Sequence, residues 1–499
     1  MVHTPPNILL IFTDQQRADT IRALGNPIIR TPNLDRLCAG GVAFRRAYTP
    51  SPVCIAARCS MIYGQYPHHT GCYDNAPMPD DDRVSFMGAL TEAGYRTHGI
   101  GKCHFAPDRH ALRGFQTREK QEEMLNSPDE DDYLTFLRAN GFAHLCDPHG
   151  VRGEMYYVPQ PSQMPAKLHP TQWVGDRSVA FLEDPARKKE PWFLFSSFID
   201  PHPPFAPPAP WHKLYRAPLM PLPNVPEDAE ALQTYINRVQ NRYKYRDQGI
   251  DRNLVRCTKA YYYATISFID FQIGRILEAL EKTGQTRNTL ILFTSDHGEY
   301  LGDYHCFGKR GMHDAASRIP LIASMPGRFA ENRVCDEPVS LVDIAPTVLA
   351  AAGADIPTHA LEGMDLAEVA AGASRREMVF SQFQKAGRAL YMAASKRWKY
   401  FYSAPDNREF LFDAALDPWE TRNRAGAPWS SEPLRHMKQA LLEHLRAGGE
   451  TEGIEGDDWK VFPKLELPAN PDAGLLVQDH RWADTTIPGY SDADEQGRT

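Results

Sequence analysis

A cysteine and an arginine four residues apart open a run with helical character, Cys54-Ile-Ala-Ala-Arg58, within residues 51–64. A side chain at a helix N-terminus lies where free N–H groups and the helix dipole favour negative charge. An arginine one turn further along projects from the same face of the helix. The pair is therefore typical of an anion-binding site, and the alternative interpretation of Cys54 is a buried thiol without chemistry.

Other side chains capable of chemistry follow predicted strands. The uninterrupted apolar run 7–13 predicts a buried strand before Asp14 and Gln15. Further strands are predicted over 192–198, before His202, and over 289–294, before Asp296 and His297. In open α/β sheets, ligands bind at the carboxyl ends of the strands. An Asp-His pair at such an end resembles a pair of metal ligands, and prolines on both sides of His202 restrict its backbone.

Two further basic segments are candidates for the same site. A short strand predicted over 95–99 precedes Lys102 and His104, and alternation along an extended chain predicts that both lie on one side, with Cys103 on the other. Lys309 lies in a loop before a strand predicted over 318–322. The sequence thus predicts several cationic groups near the predicted carboxylates.

Composition restricts the functional classes. The chain has 499 residues, 42% hydrophobic and 24% charged, which predicts a globular protein of two domains. A net charge of −8 argues against a broad nucleic-acid surface. The apolar run 8–12 is too short for a signal peptide or membrane span, so no membrane association is expected. Nine cysteines without C-x-x-C pairs predict free thiols and a cytoplasmic location.

The order of predicted elements indicates an α/β fold. Residues 1–375 are predicted to form a catalytic domain with a large, mostly parallel sheet flanked by helices. Within it, residues 106–190 are rich in charge, proline and glycine, which predicts insertions around the rim of the active site. Residues 376–455 predict a smaller antiparallel subdomain with a helix over 432–446. Residues 456–499 predict an extended tail that could lie at an oligomer interface.

Taken together, the motifs resemble the sulfatase family of the alkaline phosphatase superfamily over nearly the whole chain. The matching motifs occur in the expected order: Asp14-Gln15, Cys54-x-Ala-Ala-Arg58 with Gly64, Gly101-Lys102-x-His104, Pro201-His202-x-Pro204, Asp296-His297-Gly298, Lys309 before Arg318-Ile-Pro-Leu, and Asp417-Pro418-x-Glu420. The resemblance implies an alkaline-phosphatase-like mixed sheet in the larger domain. It also implies a homodimer or homotetramer, because family members commonly self-associate.

The resemblance further implies that a formylglycine-generating enzyme converts Cys54 to 3-oxoalanine (formylglycine), whose hydrate attacks a small-molecule sulfate ester. The second hydroxyl of the hydrate then lets sulfate leave without attack by water. The implied metal ligands are Asp14, Asp296, His297 and the modified Cys54, with Gln15 in or beside the ligand shell. Calcium is the family default, and Mn²⁺ or Mg²⁺ are the alternatives. Because calcium prefers shells of oxygen alone, the imidazole ligand favours Mn²⁺ more than it would otherwise be favoured.

The remaining roles also come from the resemblance. Arg58 and Lys102 are implied to hold the hydrate, and His104 is implied to be the base that collapses the intermediate. His202 and Lys309 are implied to bind the sulfate oxygens, one of them protonating the leaving oxygen.

The sequence departs from the usual pattern at three positions. Ala56 replaces a proline in the modification motif, while Gln15 and His297 resemble the choline sulfatases, phosphonate monoester hydrolases and phosphodiesterases. Phosphonate hydrolases typically carry Tyr and Thr at the positions of Lys102 and His104, so these residues favour sulfate monoesters. The sequence predicts a sulfatase of the arylsulfatase type with promiscuity toward phosphonate monoesters and phosphodiesters.

Three alternatives stay open at this point. One is a phosphonate monoester hydrolase or phosphodiesterase. Another is a non-catalytic homologue that binds metal and anions with an unmodified Cys54. The third is a structural zinc site built from Cys54, Cys59, Cys72 and Cys103, although their spacing fits no common pattern.

Overall fold

The apolar run Asn7–Thr13 forms a central strand, β1, in which all seven residues are buried. Its side chains alternate between two hydrophobic cores: Ile8, Leu10 and Phe12 face one, and Leu9 and Ile11 face the other. A strand covered on both faces needs apolar side chains at every position, which explains the lack of polar alternation in this run.

The computed structural model describes residues 5–123, 131–152, 156–245, 251–355 and 360–467. The strands after β1 are β2 (Val42–Phe44), β3 (Ala47–Tyr48), β4 (Arg96–Gly101), β5 (Thr117–Lys120), β6 (Trp192–Ser197), β7 (Thr289–Ser295), β8 (Leu321–Ser324), β9 (Arg333–Cys335), β10 (Val339–Ser340), β11 (Met378–Phe383), β12 (Leu390–Ser395), β13 (Trp398–Ser403), β14 (Arg408–Asp413), β15 (Ile454–Glu455) and β16 (Asp458–Trp459).

The α-helices are α1 (Pro32–Ala39), α2 (Cys54–Tyr63), α3 (Pro67–Thr70), α4 (Phe86–Glu92), α5 (Asp132–Ala139), α6 (Pro170–Glu183), α7 (Ala229–Leu232), α8 (Tyr235–Tyr245), α9 (Arg252–Thr283), α10 (Asp314–Ser317), α11 (Ile344–Ala352), α12 (Leu366–Ala371) and α13 (Ser431–Ala447). Among the described residues, no helix is both long and apolar enough to cross a membrane.

The larger sheet has eight strands in the order β5-β4-β6-β1-β7-β8-β2-β9. Neighbours from β5 to β7 pair in parallel, β8 is antiparallel to both β7 and β2, and β2 pairs in parallel with β9. Helices α6 and α9 contribute side chains to the core on one face, and α2, α4 and α11 contribute to the core on the other. The predicted mixed, mostly parallel sheet flanked by helices is confirmed.

Residues 106–190 contribute more to the fold than predicted. Strand β5 extends the edge of the larger sheet beside β4, and α6 packs along α9 so closely that a Cβ at Gly175 would lie 2.4 Å from the side-chain oxygen of Gln272. Treating the whole segment as rim insertions was therefore wrong. Strand β5 has the sequence Thr-Arg-Glu-Lys, and such a polar edge strand carries no apolar signal.

The C-terminal strands form the predicted antiparallel sheet, in the order β11-β12-β13-β14. One face, including Phe401 and Phe410, joins the core beneath the larger sheet, and the other, including Tyr400 and Leu411, packs under α13. The sequence predicts strands over 379–383, 390–394 and 398–402, and β14 is an addition to these three. The division into residues 1–375, 376–455 and 456–499 remains a prediction, and residues 468–499 lie outside the described ranges.

Gly101 ends β4 at the point where the chain turns toward Lys102. Its φ is +88°, and an added Cβ would lie 1.9 Å from the carbonyl oxygen of Ser197 on β6. Glycine is therefore required here both for the backbone conformation and for the close approach of two strands.

We predict that Gly101→Ala lowers the free energy of unfolding by about 2–4 kcal/mol, the combined cost of a left-handed alanine and a forced backbone shift. The matched control is Gly94→Ala, where φ is +86° but no atom lies within 4 Å of the added Cβ. That control should cost only about 1–2 kcal/mol. Urea denaturation measures both values, and equal losses would contradict the close-approach argument.

Candidate functional site

Four neighbouring parallel strands end at the same edge of the larger sheet. The register pairs Thr13 with Ser295, Phe12 with Ser197, and Gly101 with Ser197. Candidate residues follow the strand ends directly at three places: Lys102 after β4, Asp14 after β1, and Asp296 with His297 after β7. His202 lies in the loop that follows β6. The strand order thus brings together groups that are up to 283 residues apart.

Cys54 is the first residue of α2 and is fully buried. Its Sγ atom lies 3.6 Å from Oδ1 of Asp14, 3.2 Å from Nε2 of His297 and 2.8 Å from Nζ of Lys309. Burial, reinforced by the charge of Asp14, raises the pKa of the thiol to about 12. The unmodified thiol is therefore neutral and a weak nucleophile near pH 7.

Asp14, Cys54, Asp296 and His297 form a buried cluster of metal-ligating groups, with one ligand atom from each lying within 4.8 Å of the others. The Nδ1 atom of His297 donates to the carbonyl of Gly298 at 3.0 Å, which leaves the lone pair of Nε2 available beside Cys54. This is the tautomer that a ligating histidine needs.

The two carboxylates of the cluster favour a bound cation. Burial, followed by the neighbouring charge of Asp14, raises the pKa of Asp296 to about 7. Burial opposes ionisation of Asp14 as well, but Lys102 and the other nearby cations outweigh it and hold its pKa well below the usual range. A divalent cation between the two would offset their repulsion, so the donor set fits a metal.

Gln15 lies against the cluster in a left-handed conformation, with φ of 66°. Its backbone N–H donates to Oδ1 of Asp296 at 2.9 Å, and its side-chain amide donates to Glu299. The amide oxygen of Gln15 is buried and has no hydrogen-bond partner. An oxygen of this kind suits a metal or a water bound to one, which fits the predicted place of Gln15 in or beside the ligand shell.

Arg58, which is 1% exposed, bridges the two carboxylates. Its Nε lies 3.1 Å from Asp296 and its Nη2 lies 3.0 Å from Asp14, while Nη1 donates to the backbone carbonyl of Lys102 at 2.6 Å. Burial lowers the pKa of Arg58, but Asp296 and Asp14 more than compensate and raise it. The structure therefore connects Arg58 to the predicted metal ligands as well as to the Cys54 helix.

Lys102 and His104 do not follow the predicted alternation, because β4 ends at Gly101 and His104 has a φ of 55°. Nζ of Lys102 lies 2.7 Å from Oδ2 of Asp14 and 2.6 Å from Oε2 of Glu123. His104 instead donates its backbone N–H to Glu122 at 3.1 Å, and its Nδ1 is buried without a partner. Within the described part of the chain, Lys102 forms an ion pair with Asp14, whereas no such contact is found for His104.

His202 is held by Glu123, a residue that the sequence did not single out. Nδ1 of His202 lies 2.7 Å from Oε1 of Glu123 and 2.7 Å from the carbonyl of Pro203, whereas Nε2 is buried without a partner. Burial lowers the pKa of His202 to about 4, and Glu123 opposes that effect. Nε2 of His202 is therefore available for a hydrogen bond to substrate.

Glu123 connects the basic groups of the site, since Arg152 also lies 2.9 Å from its Oε1. A second acidic residue that was missed is Glu299, which accepts from Gln15, from the Tyr157 hydroxyl at 3.0 Å and from the backbone of Gly308 at 2.6 Å. Glu299 directly follows the motif Asp296-His297-Gly298, and this position in the sequence could have identified it as a residue of the site. Glu123 lies in a polar segment without periodicity and gave none.

The zinc alternative with four cysteines is not supported. Among the described residues, Cys59, Cys72 and Cys103 join no group of three or more metal-ligating side chains, and Cys54 groups with carboxylates and an imidazole instead.

Comparison with known proteins shows the family of the chain. The family model "Sulfatase" matches residues 6–354, and the model "N-sulphoglucosamine sulphohydrolase, C-terminal" matches residues 302–447. An arylsulfatase of Clostridium perfringens is 32% identical over 90% of this chain and 96% of its own length. A choline-sulfatase of Rhizobium meliloti is 30% identical over 88% of this chain and 85% of its own length.

A solved structure shares the architecture. The phosphonate monoester hydrolase of Silicibacter pomeroyi superposes with a TM-score of 0.77 at 26% identity, covering 90% of this chain and 96% of the other. The order of strands, the Cys54 helix and the buried ligand cluster thus accompany a family match over most of the chain. The chain belongs to the sulfatase family.

Proposed function

We propose that this protein is a sulfuric ester hydrolase that cleaves sulfate monoesters of the arylsulfatase type. The observation that carries the proposal is the position of Cys54, buried at the start of α2 against two carboxylates, an imidazole and the ammonium group of Lys309. Sulfatase relatives that align over about nine-tenths of the chain support the same reaction class.

We further propose that a formylglycine-generating enzyme converts Cys54 to 3-oxoalanine. A thiol with a pKa raised to about 12 by burial would be a poor nucleophile in its unmodified form. The hydrated aldehyde, next to a divalent cation, would supply a hydroxyl nucleophile of lowered pKa. Asp14, Asp296 and His297 would hold that cation, which we propose to be Ca²⁺, with Mn²⁺ or Mg²⁺ as alternatives. Of these two alternatives, the imidazole ligand favours Mn²⁺.

The charges around the cluster support an anionic substrate. Three basic side chains lie in or beside the cluster, namely Arg58, Lys102 and Lys309. Three carboxylates accompany them, namely Asp14, Asp296 and Glu123. The formal charges of these six side chains sum to zero, so a bound divalent cation would make this group of side chains and cation positive overall. In a buried site, such charges act strongly on negative charge that develops in the transition state.

The remaining roles are proposed from the family resemblance, and the contacts of each side chain support them. We propose that His202 and Lys309 hold the sulfate oxygens and that one of them protonates the leaving oxygen. His202 can donate from Nε2 only as the imidazolium, the form that Glu123 favours. Arg58 and Lys102 would orient the hydrate, since both already contact Asp14. The unpartnered Nδ1 of His104 is the proposed base.

A second candidate function is hydrolysis of phosphonate monoesters and phosphodiesters. The structural similarity to the phosphonate monoester hydrolase of Silicibacter pomeroyi favours it specifically. The same cluster can hold a tetrahedral phosphorus group, so we propose this reaction as a promiscuous activity. A non-catalytic homologue that binds metal and anions through an unmodified Cys54 is the third possibility.

The setting of the enzyme is also a proposal. All nine cysteines are free thiols, and seven of them are buried, which supports a reducing, cytoplasmic compartment. A homodimer or homotetramer remains our expectation for the assembly.

We predict that kcat/KM for an aryl sulfate exceeds kcat/KM for the matching aryl phosphonate on one preparation of the protein. The reason is that Lys102 and His104 occupy the two positions at which phosphonate monoester hydrolases typically carry Tyr and Thr. Steady-state kinetics measures both values, with Cys54→Ala as the inactive control and the buried Cys59→Ala as the matched cysteine control. A large preference for the phosphonate would favour the second candidate, and turnover by Cys54→Ala would exclude Cys54 as the nucleophile.

We predict that Glu123→Gln lowers the pKa of His202 still further below its usual value, because it removes an opposite charge at hydrogen-bond distance that favours the imidazolium. Imidazole chemical shifts in a pH titration measure it. His169, whose pKa burial lowers to about 4, is the internal control and should not change, since its ring donates to the carbonyl of Ala206. An unchanged pKa of His202 would show that Glu123 does not set its protonation.

A further inference from the structure

A second group of metal-ligating side chains lies outside the catalytic site. His68 and His69 belong to the short helix α3, which follows α2, and Glu362 lies in the segment before α12. One ligand atom from each of the three lies within 4.8 Å of the others. None of the three takes part in the cluster around Cys54, so the catalytic proposal does not explain their arrangement.

The distances suit a shared ion. Nδ1 of His69 lies 2.9 Å from Oε2 of Glu362, and Nε2 of His68 lies 3.7 Å from Oε1 of the same carboxylate. Two ligands of one tetrahedral zinc ion are roughly 3.3 Å apart, given metal–ligand distances of about 2.0–2.1 Å. The two observed distances bracket that value, and the His69 side chain, which is 39% exposed, has room to adjust.

His68 is held rigidly with an unsatisfied nitrogen. Its side chain is only 2% exposed, and its Nε2 is buried without any hydrogen-bond partner. The ring stacks on Tyr66 at 6.2 Å and meets the ring of His444 edge-on at 4.8 Å. Gly448 packs against it so closely that an added Cβ would lie 2.0 Å from the ring. A buried ring nitrogen without a partner is costly unless something binds it.

Glu362 is also oriented in advance. The backbone N–H of Tyr66 donates to its Oε2 at 2.7 Å, a contact of the kind that orients ligating carboxylates in metal sites. A simple ion pair between His69 and Glu362 would use one imidazole and leave Nε2 of His68 unsatisfied. A metal ion would use both imidazoles and the carboxylate together.

We propose that His68, His69 and Glu362 form a second metal site that binds a divalent transition metal, Zn²⁺ in the first instance. Two imidazoles and one carboxylate are the ligands that zinc and its neighbours prefer, whereas calcium and magnesium prefer oxygen alone. The exposed side of His69 leaves a coordination position for water. Because His68 packs on His444 of α13, the ion would stiffen the contact between α3 and the C-terminal helix.

The test uses Co²⁺ as the probe, because cobalt in a nitrogen- and oxygen-ligated protein site can be followed by visible absorption. Full-length protein is stripped with a chelator, loaded with Co²⁺ and desalted, and its cobalt content is measured. We expect wild type to retain one equivalent more than His69→Ala and to show an absorption band that this variant lacks. The matched control is His436→Ala, which removes an exposed histidine paired with Glu377 at 2.6 Å, and it should retain the wild-type content.

Two further variants keep the outcome decisive. Asp296→Asn alters the cluster around Cys54 but should still show the cobalt band that His69→Ala lacks. This control separates loss of a metal at the Cys54 cluster from loss of the metal at His68, His69 and Glu362. Glu362→Gln keeps a side-chain oxygen for the N–H of Tyr66 while removing the charge, and we expect it to weaken Co²⁺ binding by more than about tenfold. Equal cobalt content and spectra in wild type, His69→Ala and Glu362→Gln would overturn the proposal.

Discussion

Two carboxylates buried side by side determine the chemistry of this molecule. Asp14 and Asp296 leave the adjacent strands β1 and β7 at the same level, and neither is exposed to solvent. Removing an ion from water costs several kcal/mol even after the protein relaxes. The surroundings must therefore supply positive charge, and they do so through Arg58, which contacts both carboxylates, and Lys102, which contacts Asp14.

This requirement links the position of Cys54 to the fold. Arg58 lies one turn after Cys54 on α2, so the ion pairs that hold Arg58 also fix the start of that helix over the ends of β1 and β7. Lys102 reaches Asp14 because Gly101 allows β4 to turn sharply beside β6. The same contacts that neutralise the carboxylates thereby place Cys54 at the ligand cluster. A bound cation would add to this neutralisation and leave the site suited to an anion.

The sequence predicts the parts of the site that have strong local signals. Mainly apolar runs identified β1, β6 and β7. The residues that follow these strands lie at the same edge of the larger sheet. The four-residue spacing of Cys54 and Arg58 indicated a shared helix face. The alternation rule failed at Lys102 and His104 because the strand had already ended, and a positive φ at His104 is a tertiary feature without a local pattern. Glu123 and the polar edge strand β5 carry no hydrophobic periodicity and were missed for that reason.

We propose Cys54 as the precursor of the nucleophile, although Ala56 replaces the proline that is usual two residues after such a cysteine. The mass of the proteolytic peptide that contains Cys54 tests this, measured on protein produced in a host that makes formylglycine. We predict a peptide at the mass of the 3-oxoalanine form or its hydrate. A peptide that retains the full mass of cysteine, in a preparation without turnover, would contradict it and favour a binding protein with an intact thiol.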